Sequence, residues 1–298
     1  MDGDTGRPLP GARVRARGGE SEPLLTADGR GTVTLPAGTV AVRGAAPGYT
    51  PGTATVRAGE PALLQLYDPR LQSPQYGGGP ERTRHVPAVR VPPPRRRPAW
   101  TFTSRTLLEF PPAVRNGLLV VGTNGGRVYA LNARTGSVRW ARRQRGYIAA
   151  TPAIAGPIVL VASMDGMLTA YRAADGRRLW QVSTGGSPIE SSPLVVGEDV
   201  VVGDWSGRVR SVDVRTGRVR WTYRAPGAVK GSAAQAGRLL LVGDYAGGVQ
   251  ALQSDTGALA WRAAVGRRFY SGPAVGDGIA VIGDVGGAVL GLDAATRR

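Results

Sequence analysis

The sequence predicts an all-β chain dominated by a β-propeller and preceded by a small β-sandwich. Three observations predict the propeller. Tryptophans stand at 100, 140, 180, 221 and 261, a step of 40 or 41 residues. Glycines at 126, 166, 207, 247 and 287 keep that step, within the strings VGTNGGRVYAL, VASMDGMLTAY, VGDWSGRVRSV, VGDYAGGVQAL and IGDVGGAVLGL. A third column, Thr135-Gly136, Asp175-Gly176, Thr216-Gly217 and Thr256-Gly257, carries its glycine four residues before each tryptophan.

Each copy reads as an apolar run, a Gly turn, an alternating run, a second Gly turn and a Trp-bearing strand, which together make a four-stranded antiparallel sheet. A sheet that is apolar on both faces cannot cover itself, so the copies must stack around an axis. The recurrent glycine supplies the positive φ of a tight hairpin, and the tryptophan buries a large area between blades. Trp140, Trp180, Trp221 and Trp261 are therefore read as packing residues. Trp205 stands outside the column, at a hairpin turn, where exposure is expected.

Residues 1–67 read as the sandwich. Turn chemistry at Thr5-Gly6-Arg7-Pro8-Leu9-Pro10-Gly11-Ala12 leads into alternation through Val14, a second turn at Asp28-Gly29-Arg30-Gly31 into Thr32–Leu35, and Pro36-Ala37-Gly38 into Val40-Ala41-Val42. Short strands at this spacing suit a sandwich. Residues 68–99 read as a linker, with Pro92-Pro93-Pro94, Arg95-Arg96-Arg97 and the lone His85. Dense proline and like charges favour extended backbone there. Residues 100–298 carry the repeats.

Composition narrows the function classes. The net charge is +17, from 38 basic against 21 acidic residues, yet the linker is the densest basic segment, with 7 Arg against 2 acids in residues 68–99. Only Lys230 among the basic residues is lysine, the bias that a GC-rich coding sequence produces. A polyanion-binding surface remains a second alternative, with Arg142, Arg143, Arg145 and Tyr147, and Arg267, Arg268, Phe269 and Tyr270, as its stacking loops; nucleic acid is the disfavoured partner. The absence of cysteine removes disulfides, thiolate metal sites and a cysteine nucleophile. No run reaches the roughly 18 apolar residues of a membrane helix. Met1-Asp2-Gly3-Asp4 is no signal peptide, so export or membrane contact is expected to rest on a segment outside this chain.

The phrasing LVVGTNGGRVYALNARTGSVRW and its later copies resembles the pyrroloquinoline-quinone-type propeller repeat, from Trp100 to the end of the chain. That family spans quinoprotein dehydrogenases, an eight-bladed outer-membrane assembly lipoprotein and other extracytoplasmic proteins. The resemblance implies an extracytoplasmic location and specifies fold more than activity. QYGGGPERTR, ahead of the first blade, is similar to the lead-in of such proteins. TGRPLPGARV, DGRGTVTLPAG and APGYTP resemble the carboxypeptidase regulatory-like, transthyretin-like fold. In that family a strand precedes the first turn, and Met1-Asp2 leaves no room for it. The chain is accordingly expected to be part of a longer protein and a larger propeller; the competing reading has Trp100 completing the fifth blade of a closed five-bladed ring.

No catalytic residue, cofactor or metal site is expected. A quinoprotein dehydrogenase, which would hold pyrroloquinoline quinone with calcium, is the principal alternative, and in that family a cysteine pair often packs against the quinone. Asp204, Asp244 and Asp284 share one repeat position with Thr123 and Ser163, residue types that bond the backbone two residues on, so they are read as turn residues. The informative positions break the repeat. Glu109, Ala149, Glu190, Lys230 and Tyr270 stand three residues before Pro112, Pro152, Pro193, Ala233 and Pro273, ahead of each innermost strand. Glu109, Glu190, Lys230 and Tyr270 are thus the candidate channel-mouth residues, for a protein or small-ligand partner. Glu190 and Lys230 are expected to approach each other, as a binding feature or as a plain ion pair between blades. The function read from these observations is a non-catalytic binding or assembly scaffold.

Overall fold

The computed structural model describes residues 1–16, 39–57, 60–83 and 97–296. The turns and strand expected over residues 28–38, His85 and the run from Pro92 to Arg96 lie outside the described residues. The described chain forms two compact units, one ending at Gln72 and the other starting at Ser73.

In the first unit, Arg13–Ala16, Thr39–Ala45 and Gly52–Arg57 form a three-stranded antiparallel sheet in that order. Period-two alternation buries Val14, Ala16 and Val42 on one side while Arg13, Arg15 and Arg43 face solvent. The first residues form an isolated parallel bridge, Asp2 with Leu66, and among the described residues no strand precedes the first turn. Gly3 N–H donates to the Leu66 carbonyl at 2.7 Å and Leu66 N–H to the Met1 carbonyl at 3.0 Å. Asp2 makes this possible, because its Oδ1 caps the N–H groups of Asp4 and Thr5 and turns the chain straight after the pairing.

The second unit is the propeller segment. The first blade comprises Ala113–Arg115, Leu118–Gly122, Arg127–Asn132 and Val138–Arg143, paired in sequence order. Three more four-stranded sheets repeat it. In every one of these sheets the pairing of the third and fourth strands shifts by one residue beside the tryptophan, as between Ala130↔Trp140 and Leu131↔Val138. Alternate residues of one blade face the next: Leu118, Val120, Val128 and Ala130 form one cluster with Ile154, Val159, Val161 and Tyr171.

The tryptophans set the angle between blades. Each indole N–H donates to a carbonyl in the following blade: Trp100 to Ala133, Trp140 to Ala173, Trp180 to Val214, Trp221 to Ser254 and Trp261 to Ala294, at 2.8–3.2 Å. For Trp100, Trp140, Trp180 and Trp221 the ring lies on that blade's Gly turn, at Gly136, Gly176, Gly217 and Gly257. Gly176 has φ +70, and a Cβ there would come within 2.6 Å of the Trp140 indole. The Thr-Gly column and the Trp column are therefore the two halves of one contact.

The fifth sheet has three strands, Ala274–Gly276, Ile279–Gly283 and Val289–Asp293. Among the described residues no ladder joins it to the Trp100 segment, so the pairing that a closed five-bladed ring requires is not formed. Its outer face is bare. Val281 and Val289 are 43% and 74% exposed, whereas their equivalents Val120 and Val128 in the first blade are fully buried.

The linker expected over residues 68–99 is corrected at its centre, because residues 73–82 belong to the propeller. Innermost strands present an unpaired backbone edge towards the axis, and this segment meets one such edge after another. Ser73 exchanges both backbone hydrogen bonds with Val114. Ile154 N–H donates to the Pro74 carbonyl, Val195 N–H to Gln75 Oε1, Gln235 N–H to the Pro80 carbonyl and Val275 N–H to the Glu81 carbonyl, at 2.6–2.8 Å. These five residues occupy one repeat position, one in each blade. Arg82 fastens the segment with its guanidinium, donating to the carbonyls of Tyr76, Ser192 and Ala233 at 2.6–3.1 Å. Burial pushes its pKa down to about 9, which leaves it charged at neutral pH. Proline content pointed to extended backbone; the acceptors and donors on that backbone had partners that composition does not reveal.

Trp140→Ala is expected to lower stability by ~3–5 kcal/mol, and Gly176→Ala by ~1–3 kcal/mol through its positive φ and the clash. Because the added methyl collides with the indole, the double variant should lose less than the sum, by about 1 kcal/mol or more. Denaturant unfolding of the four proteins checks this, and strict additivity would show that ring and glycine do not act as one contact.

Candidate functional site

The tip of each blade's central hairpin is tied by one repeated backbone bond to the loop entering that blade. Asn124 N–H donates to Leu107, Met164 to Tyr147, Trp205 to Pro188, Tyr245 to Ala228 and Val285 to Arg268, at 2.9–3.1 Å. Each acceptor lies two residues before the column Glu109, Ala149, Glu190, Lys230 and Tyr270. The bond thus brings two variable positions together in each blade, one on the hairpin tip and one on the loop.

The side chains use that proximity. Asn124 Nδ2 donates to Glu109 Oε2 at 3.1 Å. Trp205 Nε1 donates to Glu190 Oε2 at 3.0 Å, and the Tyr270 hydroxyl, two blades on, donates to Glu190 Oε1. Lys230 Nζ lies 4.1 Å from the Trp205 ring centroid, 4.6 Å from that of Tyr245 and 5.4 Å from that of Tyr270. Tyr245 and Tyr270 meet edge to face, with centroids 6.3 Å apart. Each cation–π contact contributes ~0.5–1 kcal/mol at an exposed site. Glu190, Lys230 and Tyr270 are therefore brought into one cluster. Glu109 sits apart from their direct contacts, bound to Asn124, but its charge reaches Tyr270. Ala149 is buried and contributes nothing.

The expected Glu190–Lys230 ion pair is replaced by a different arrangement. Among the described residues no ion pair joins them. Trp205 takes both, giving its N–H to the carboxylate and its π face to the ammonium. Trp205 and Tyr245 join the candidate cluster without having been marked as site residues by the sequence. A signal existed, since Asn124, Met164, Trp205, Tyr245 and Val285 form a column that breaks the repeat as plainly as the loop column does. Trp205 is 39% exposed and Tyr270 49%, so the cluster is open to solvent. Glu190 holds the Tyr270 phenol's pKa well above the usual range, chiefly through the hydrogen bond, with burial and the charges of Glu190 and Glu109 adding to it.

The aspartate column does what turns require. Asp204 Oδ1 accepts from the N–H groups of Ser206 and Arg208, and its Oδ2 pairs with Arg210 at 2.7 Å. Asp244 accepts from Ala246, Gly248 and Gln250, and Asp284 from Ala288 and Arg267. Among the described residues no three His, Cys, Asp or Glu side chains form a group able to hold a metal ion. The three carboxylates stand one per blade, each engaged in the hydrogen bonds of its own turn. In the two loops proposed for polyanion stacking, Phe269 is fully buried, Arg142 donates to the carbonyls of Ala141, Asp175 and Gly176, and Arg267 pairs with Asp284, while Tyr147 and Tyr270 are exposed.

The family described as outer membrane protein assembly factor BamB matches residues 88–236 and 226–298. The chain belongs to that family. BamB of Yersinia pestis is 32% identical over 108 residues, covering 35% of this chain and 28% of its own length, so this chain spans well under half of that curated relative. The crystal structure of BamB from Moraxella catarrhalis superposes with a TM-score of 0.56 at 23% identity, over 61% of this chain and 60% of that one. A quinohemoprotein alcohol dehydrogenase from Pseudomonas putida HK5 superposes with a TM-score of 0.64 at 18% identity, over 76% of this chain and 47% of that one. At these identities the two structures establish the all-β propeller fold of the pyrroloquinoline-quinone type, shared by an assembly factor and by an enzyme.

Trp205→Ala is expected to cost about 1 kcal/mol, because the ring makes a rim contact instead of filling a core. Equal unfolding losses for Trp205→Ala and Trp140→Ala would contradict the assignment of their roles. A phenol whose folded pKa is raised contributes stability fully below its unfolded value of about 10, and loses it as pH rises through the folded value. In an absorbance titration the tyrosine missing from Tyr270→Phe should therefore come from the late-ionising fraction. Loss from the fraction ionising near pH 10 would show that the Glu190 bond is not made.

Proposed function

We propose that this chain is a non-catalytic binding or assembly scaffold that presents its open channel mouth to a protein partner outside the cytoplasm. One observation carries the reading. The repeat-locked residues, from the Trp and Gly columns to the aspartates, are consumed by bonds within and between blades, whereas Glu190, Trp205, Lys230, Tyr245 and Tyr270, at positions that break the repeat, gather into one cluster, which we take to mark the mouth. Evolutionarily cheap variation at such a place changes what is bound and leaves the fold alone. The names of the curated relatives, outer membrane protein assembly factors, support an assembly role and an envelope location. Carboxylates engaged within their own turns support the view that no quinone or metal is held.

The first unit is proposed to be a carboxypeptidase regulatory-like, transthyretin-like domain over residues 1–67. Its support is the TGRPLPGARV turn leading into Arg13–Ala16 and the antiparallel pairing of that strand with Thr39–Ala45. A spacer then joins it to the propeller, with residues 73–82 counted as part of the latter.

The scaffold reading is tested with tagged wild-type chain and the variants Glu190→Arg and Tyr270→Ala, crosslinked in an envelope fraction. A partner that is captured by the wild type and lost from both variants supports it; a partner retained by both places binding elsewhere. Adding pyrroloquinoline quinone and calcium should yield no dye-linked alcohol oxidation. Turnover that disappears with Asp204→Ala would establish the dehydrogenase instead.

A further inference from the structure

Three aromatic rings surround one ammonium at the mouth, and the ammonium belongs to the chain's only lysine. Trp205, Tyr245 and Tyr270 all place their centroids within 5.4 Å of Lys230 Nζ. Glu190 fixes two of these rings by accepting from the Trp205 indole and the Tyr270 hydroxyl, so the cage keeps its shape from bonds that do not involve the lysine. Two of the cage walls, Trp205 and Tyr270, are exposed to solvent, and Tyr245 is half-buried. Lys230 reaches it on a flexible four-carbon stem from the loop before Ala234–Ala236, and none of the hydrogen bonds or ion pairs made by the described side chains around it holds its Nζ in place. A π cage recognises positive charge without directional bonds, which is how proteins read alkylated ammonium groups.

We propose that this cage is a recognition site for a lysine-type side-chain ammonium, plain or methylated, on the partner protein, and that Lys230 occupies it as a built-in competitor. The proposal rests on the reading of the mouth as the binding face. Exchange is electrostatically neutral within the cage, since one cation leaves as another enters. The Glu190 carboxylate, with Glu109 beyond it, offsets Arg268, whose guanidinium lies 5.9 Å from the Tyr245 centroid. A departing Lys230 gains hydration, so the resident ammonium lowers the partner's apparent affinity without abolishing it. Arginine at this position would stack flat and bind more tenaciously, which is a physical reason for a lysine in a chain that otherwise uses arginine.

The test titrates wild type, Lys230→Ala and Lys230→Ala/Trp205→Ala with three probes by calorimetry: the N-acetyl methylamides of lysine, of trimethyl-lysine and of norleucine. Circular dichroism melting establishes that each variant is folded, and Lys230→Met serves if Lys230→Ala is not. Removing Lys230 should tighten binding of at least one cationic probe by about tenfold or more, and removing Trp205 as well should reverse the gain. The two cationic arms tell a plain from a methylated ammonium. Equal binding by wild type and Lys230→Ala, retention of the gain without Trp205, or norleucine binding as well as the cations would each overturn the proposal. Failure here with partner capture still lost from Glu190→Arg and Tyr270→Ala would leave the scaffold reading standing; failure of both would remove the mouth as a binding face.

Discussion

Stacked sheets that are apolar on both faces attract each other without a preferred angle, because hydrophobic burial is non-directional. The indole of each repeat supplies the missing direction. Its N–H reaches a carbonyl 33 or 34 residues further along the chain, and the rings of Trp100, Trp140, Trp180 and Trp221 each rest on a glycine that no other residue type can replace without collision. This single contact sets the rotation from blade to blade. The hairpin tips, the connecting loops and the inner edges then fall on rings about a common axis. Every later feature of the propeller, including the mouth cluster, depends on that alignment.

The axis is where such a fold carries its backbone liability. Five inner strands turn unpaired N–H groups inwards, and a row of them is an open edge. Residues 73–82 answer it with one acceptor per blade, four of them backbone carbonyls and one the Gln75 side chain. Arg82 then bonds three carbonyls, and among the described residues no ion pair joins it to a carboxylate. Charge-assisted bonds to carbonyls are roughly twice as strong as neutral ones, which offsets the burial of a guanidinium. A lysine would serve poorly there, since three acceptors spread around a planar fork suit arginine's geometry.

The opposite demand governs the cluster of Glu190, Trp205, Lys230, Tyr245 and Tyr270. Where Asp204, Asp244 and Asp284 must bond the backbone two and four residues on, the repeat tolerates little variation. One residue later the side chain points away from the turn, and asparagine, methionine, tryptophan, tyrosine and valine all occur. The same freedom holds in the loop column. Variation in both columns is harmless to the blades, and the tip-to-loop bond brings the two together. A carboxylate, an ammonium and three aromatic rings thereby meet, drawn from parts of the chain as distant as Glu190 and Tyr270.

The four-stranded antiparallel blade, the packing role of the tryptophans and the turn bonding of the aspartates were legible in the sequence, because each reflects a local requirement that recurs at a fixed step. The loop column was legible too, as the place where that requirement lapses. What tertiary structure alone decided lies in contacts without a sequence period. Proline and glycine in residues 73–82 announce extended backbone, but not that it lies against five strand edges. Opposite charges at Glu190 and Lys230 suggest a pair, but not that Trp205 stands with its N–H to one and its face to the other. Local propensity and period report what one segment needs of itself; partner identity across 40 or 80 residues is set only when the blades are stacked.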